Sequence, residues 1–238
     1  MKLTSLLLST CFLSLSSVYA EEESLAAVIE AKKSAGRANA DPEKLKAYAE
    51  GIQAVKDAET VKAAIQEGEI APDFTLPNAS GTEITLSEKL KEGPVVLVWY
   101  RGGWCPYCNL QLAAYQKILP QIEELGAQMI AISPEVPDKS LTTTEKNGLR
   151  FEVLSDANLV VSKEYGLVFE LTPEVEKYYS EFFDMKEFNG ADAATNELPL
   201  AATYVIKPDG TVTWAFLDAD YTKRAEPRDI LAALDGLE

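Results

Sequence analysis

Cys105 and Cys108 are separated by two residues in the run Trp104-Cys105-Pro106-Tyr107-Cys108, directly after the loop Arg101-Gly102-Gly103. A thiol attacks as its thiolate, and a thiolate is favoured at a helix mouth, where unpaired N–H groups and the positive dipole end face it. Arg101, four residues ahead of Cys105, brings a cation to the same place. The chemistry such a pair carries is attack on a disulfide or a peroxide, closing a Cys105–Cys108 disulfide. Inert readings compete with it. A zinc half-site needs two more ligands, which the chain lacks. A structural disulfide closing so short a loop stabilises little. Two buried, idle thiols fit poorly beside a Gly-Gly loop at a helix mouth.

The rest of the composition narrows the field. The 238 residues contain no histidine, which removes Ser–His–Asp and Cys–His catalysis and the ordinary zinc and non-haem iron sites. No metal or cofactor is expected. A net charge of −16 argues against nucleic acid and anionic membrane as partners. Asp218, Asp220 and the acidic run from Glu170 to Glu176 read as a solvated acidic face rather than a hydrolytic carboxylate pair. Gly102-Gly103 lacks the spacing of a phosphate loop.

The elements that must position the thiols follow from periodicity. Val95 to Tyr100 is a continuous apolar, β-rich run, as in a strand buried on both faces. Cys105 to Leu125 reads as a helix with Leu112, Tyr115, Ile118, Leu119 and Ile122 inward and a kink expected at Pro120. Extended pieces at 74–76 and 83–86 flank the turn Asn78-Ala79-Ser80-Gly81 as a hairpin. Further strands are expected at 128–133, 151–154, 203–206 and 212–216, the last two paired across Lys207-Pro208-Asp209-Gly210. Helices are expected at 138–147, 159–165, 173–188 and 228–237. This alternation makes an α/β sheet with helices on both faces. Residues 24–68 are helical in pattern, with Asp41-Pro42 opening a helix and Leu45, Ala49, Ile52, Val55, Val61 and Ile65 near one face.

Residues 1–20 read as a secretory signal peptide: Lys2, the apolar run from Leu6 to Leu15, and the cleavage site Val18-Tyr19-Ala20 before three glutamates. Thr10 before Cys11 is a poor lipoprotein signal, so Cys11 leaves with the leader. The expected organisation is a signal peptide at 1–20, a helical extension at 21–68 and a domain at 69–238. The mature chain is expected in the periplasm or outside the cell, free of the membrane.

Trp-Cys-Pro-Tyr-Cys at a strand–helix junction resembles the thioredoxin superfamily. The segments 68–81 and 93–112, followed by 198–206 and 208–210, are similar to the peroxiredoxin-like branch of the AhpC/TSA group. The resemblance implies a thioredoxin fold, a small hydroperoxide as substrate and an external, thioredoxin-like dithiol as reductant, and it leaves homo-oligomerisation open. In the peroxiredoxin register Cys108 takes the peroxidatic slot, Cys105 the slot of a threonine, Arg101 that of a proline, and Ala201 that of a distant arginine. Pro199 lies two residues early for the cis-proline of thioredoxin-like proteins.

Three functions stay open on the sequence: a peroxidase, a thiol–disulfide oxidoreductase acting on proteins, and an interaction module with an idle dithiol. The attacking sulfur is open too. Helix geometry points to an exposed Cys105 with the lower pKa, whereas the register points to Cys108. Together they predict that Cys105 attacks disulfides and Cys108 attacks peroxide.

Overall fold

The computed structural model describes residues 24–237. The expected signal peptide and Cys11 lie outside them. Three helices come first: α1 (Leu25–Arg37), α2 (Pro42–Asp57) and α3 (Thr60–Ala63). Asp41 caps α2 as expected, accepting from Glu43 N at 2.9 Å ahead of the first-turn Pro42. Two N–H groups opening α1 find a distant acceptor: Glu226 takes Leu25 N at 3.0 Å and Ala26 N at 2.7 Å.

The buried face of α2 is rotated from the expected one. Ala47 and Val55 are buried and Ala49 is exposed. The helix approaches the later helix Pro173–Ser180 closely at Gly51, where a Cβ would lie 2.8 Å from Val175 Cγ2.

The hairpin follows, β1 (Thr75–Pro77) with β2 (Glu83–Thr85), and the turn is braced by Asn78 Oδ1, which accepts from Ser80 N and Thr82 N. Then come α4 (Leu86–Leu90), β3 (Val95–Trp99), α5 (Pro106–Glu124), β4 (Gln128–Ser133), α6 (Pro137–Asn147), β5 (Glu152–Ser155) and α7 (Val160–Glu164). The chain ends through β6 (Val168–Glu170), α8 (Pro173–Ser180), α9 (Met185–Asn189), β7 (Glu197–Pro199), β8 (Thr203–Ile206), β9 (Val212–Phe216) and α10 (Pro227–Asp235). α5 continues through Pro120.

The central sheet has the order β5-β4-β3-β8-β9, parallel across the first three strands and antiparallel across the rest. Every residue of β3 is 0% exposed, so the strand is covered on both faces. Alternation sorts its side chains. Val96 and Val98 join Tyr100 in one core with α1, α5 and α10, while Val95, Leu97 and Trp99 join the other with α4 and α7. This is the thioredoxin-like α/β sandwich.

Two expectations need correction. The helix at 173–188 is two helices, because Phe182 N and Phe183 N close onto Tyr179 O and Asp184 caps the next helix at Lys186 N. The small antiparallel sheet of β6 and β7 was not foreseen. Strands of three residues show no period, and these two are joined through a helical insertion.

Candidate functional site

The C-terminal end of β3 delivers the loop 101–104, and Cys105 is the N-cap residue of α5, with Pro106 in the first turn. The loop is clamped by a buried carboxylate. Glu135 Oε1 accepts Gly103 N at 2.9 Å, and Oε2 accepts Tyr100 Oη at 3.1 Å and Thr143 Oγ1 at 3.2 Å. Burial raises the Glu135 pKa, against these hydrogen bonds that lower it. Asn109 Nδ2 ties the loop to the helix by donating to Gly103 O at 2.7 Å. Gly103→Ala is expected to lower the thermal midpoint. Its Cβ would meet Thr143 Oγ1 at 2.1 Å, an overlap costing about 1–3 kcal/mol. Melting curves check this, and Thr143→Ala in the same chain should restore part of the loss.

Three of the residues singled out by sequence come together here. Cys105 is 1% exposed and Cys108 0%, with both free as thiols. The exposed Cys105 expected from helix geometry is therefore not observed. Next to it, Trp104 stacks on Phe183 with centroids 4.3 Å apart, and Tyr179 of α8 packs edge-on to Trp104 at 5.6 Å.

Polar contacts converge on Cys108 instead. Its Sγ accepts Arg101 N at 3.4 Å and Arg224 Nη2 at 3.3 Å. Arg224 is 6% exposed and held from behind, its Nε donating to Gln111 Oε1 at 2.6 Å and its Nη1 to the carbonyls of Tyr221 and Lys223. Burial pushes the Cys108 thiol up, but the hydrogen bond from Cys105, the Arg224 and Arg101 charges and the Arg101 N–H outweigh it. The pKa falls well below the usual thiol range. Cys105 moves the other way, raised by burial and by the neighbouring Cys108, with both arginines opposing. The order of thiol acidity is thus opposite to the one helix geometry alone points to.

Arg101 is 1% exposed. Its guanidinium donates to Tyr179 Oη and lies 4.4 Å from the Tyr221 ring centroid and 5.1 Å from that of Trp104. Its Nε has no partner among the described residues. Among the described residues neither Arg101 nor Arg224 forms an ion pair with a carboxylate; their guanidinium partners are Tyr179 Oη for Arg101 and Gln111, two carbonyls and Cys108 for Arg224. The buried Arg224 cation thus faces the Cys108 sulfur directly, with the Arg101 charge nearby, and charges in a protein interior persist when compensated. The arrangement favours a thiolate at Cys108.

Arg224 escaped the sequence reading because it lies in a loop with no period and no motif, 116 residues from Cys108. One signal was present. The arginine slot of the resemblance holds Ala201, and beyond it the chain has only Arg224 and Arg228. Ala201 is buried, and among the described residues no peptide bond is cis, which sets Pro199 apart from a thioredoxin cis-proline.

The model of the AhpC/TSA family matches residues 68–215. The chain belongs to the AhpC/TSA family. Within it, the chain is 35% identical over 116 residues to the peroxiredoxin bcp of Buchnera aphidicola, covering 48% of this chain and 72% of that one. It is 31% identical over 112 residues to the chloroplastic peroxiredoxin Q of Populus jackii, covering 47% of this chain and 52% of the relative, about half its length. Among solved structures, the crystal structure of peroxidoxin BcpB from Mycobacterium tuberculosis superposes with a TM-score of 0.58 at 23% identity, covering 73% of this chain and 99% of that one. Arg224 lies beyond the segment that the AhpC/TSA family model matches.

Proposed function

We propose that this AhpC/TSA protein is a thiol peroxidase in which Cys108 reduces the peroxide and Cys105 resolves the product. The observation that carries the reading is the buried Cys108 Sγ, which accepts from the buried Arg224 guanidinium at 3.3 Å and from Arg101 N at 3.4 Å. The Cys108 thiolate attacks one peroxide oxygen, the O–O bond breaks, and the leaving alkoxide or hydroxide takes a proton. The resulting sulfenic acid condenses with the Cys105 thiol, releasing water and forming the Cys105–Cys108 disulfide. An outside thiol restores the dithiol, and family relationship suggests a thioredoxin-like protein for that role. Because both sulfurs are buried, a small peroxide reaches Cys108 through a local opening of the side chains around it.

Purified protein with hydrogen peroxide and dithiothreitol tests this: steady consumption of peroxide is expected, and none overturns it. Acting on protein disulfides is the weaker reading, since Cys105 presents no accessible sulfur. Insulin reduction without peroxide consumption would revive it, and neither activity would leave an interaction module.

Export is part of the proposal. The arrangement of Lys2, the apolar run and Val18-Tyr19-Ala20 supports a mature chain starting at Glu21. Intact mass of protein from the native host is expected to lack residues 1–20. Retention of those residues refutes export by this route.

A further inference from the structure

Tyr179 is set on the inner face of α8 by the helical period. Val175, one turn earlier, is buried with it, and Thr172 Oγ1 caps the helix by accepting Val175 N at 3.4 Å. Val175 lies against Gly51 of α2. Tyr48, three residues before that glycine, meets the Tyr179 ring edge-on with centroids 5.8 Å apart. The Tyr179 hydroxyl, fixed in this way, accepts from Arg101 Nη2, 78 residues away in sequence. Among the described residues no other hydrogen-bond acceptor meets that guanidinium. Three rings surround the same cation, their centroids 4.4 Å (Tyr221), 5.1 Å (Trp104) and 5.3 Å (Tyr179) from Arg101 Cζ. Ring faces attract a cation without fixing where its N–H groups point, whereas a hydrogen bond fixes it.

We infer that Tyr179 is a positioning residue for the thiolate chemistry, its hydroxyl holding the Arg101 guanidinium beside the dithiol. The inference rests on the function proposed above and adds to it a residue that acts through another. Arg101 gives Cys108 its backbone N–H at 3.4 Å, and its charge is among the causes that lower the Cys108 pKa. That charge has a competing place to go. Arg101 also lines a cavity of about 730 Å³ whose wall carries the carboxylates of Glu181 and Asp220. Without the hydroxyl, a buried guanidinium N–H is left with no acceptor, a costly state in a protein interior. The side chain then turns to the carboxylates, which neutralise it, and the Cys108 thiolate loses its support. The insertion between β6 and β7 thus enters the chemistry through one hydroxyl.

The test reads the thiol directly and uses no peroxide. Thiolate absorbance in the ultraviolet is titrated in the reduced full-length chain, with Cys108→Ser as the blank that assigns the acidic step. Tyr179→Phe keeps the ring and its contacts with Arg101, Trp104 and Tyr48, and removes only the hydroxyl. It is expected to raise the Cys108 step by about one unit, a tenfold smaller thiolate fraction at any pH below both values. Arg101→Met should shift the step at least as far. Adding Tyr179→Phe to it should change nothing more, because the hydroxyl then has no guanidinium to hold. Phe183→Leu disturbs the same aromatic cluster, where Phe183 stacks on Trp104 and lies 5.6 Å from the Tyr179 ring, yet it spares the hydroxyl. It should lower the thermal midpoint and leave the step in place. An unmoved step in Tyr179→Phe overturns the inference, as do additive shifts in the double variant or an equal shift in Phe183→Leu. If the step moves as expected but the protein consumes no peroxide, the peroxidase reading falls and the role of Tyr179 stands.

Discussion

Cys108→Ser is expected to cut the rapid reaction with hydrogen peroxide by roughly a thousandfold or more, because the variant loses the nucleophile itself. Cys105→Ser keeps that reaction and stops one step later, at a sulfenic acid on Cys108 that a dimedone-type reagent traps. The structure sharpens the reason. Dipole arguments assign the acidic thiol to the first cysteine of such a pair, at the mouth of α5. Here the donors that decide the matter, Arg101 N and Arg224 Nη2, both point at the second. Stopped-flow oxidation of the two variants, with mass analysis of the trapped adduct, separates the cases. A Cys108→Ser protein that forms a sulfenic acid at the wild-type rate would move the nucleophile to Cys105.

Arg224→Ala should slow peroxide-driven oxidation at neutral pH by about ten- to a hundredfold, the worth of one charge-assisted hydrogen bond of roughly 1.5–3 kcal/mol. The sign of the pH effect follows from the role. Arg224 lowers the Cys108 pKa, so its loss raises that pKa and shrinks the thiolate fraction at neutral pH. The acid limb of the rate profile therefore moves to higher pH, and part of the lost rate returns in alkaline solution. Arg224→Lys keeps the charge and loses the fork that reaches Gln111 and Cys108 together, so it should sit between. A variant that merely unfolds the loop would lose rate at every pH alike. An unshifted profile would reduce Arg224 to a structural side chain.

The parts of this protein legible in its sequence are those written in local periods. β3 announces itself as six apolar residues, and the hairpin by its Asn-Ala-Ser-Gly turn. The dithiol is a contiguous motif, so Cys105, Cys108 and Arg101 were found together. What escaped was assembled across distance. Glu135 reaches Gly103 from 32 residues away and Arg224 reaches Cys108 from 116, each from a connecting segment whose residue types carry no rhythm. The ring contact of Trp104 with Tyr179 of α8 and the close approach of Gly51 to Val175 are likewise made across distance. Burial of a helix-mouth cysteine is a property of its neighbours, so no reading of residues 101–108 alone reveals it.

The carboxylate of Glu226 gives the helical extension a second meaning. It holds the first amides of α1, 201 and 200 residues away, and it stands two positions after Arg224. The start of α1 is thereby clasped to the segment that brings the guanidinium to the sulfur. Opening of one partner is expected to loosen the other, so that the first turn of α1 and residues 221–226 unfold locally together. Amide exchange at Leu25 and Ala26 then reports on the tether of Arg224, and the vigour of the thiolate is linked to how firmly the N-terminal helix is seated.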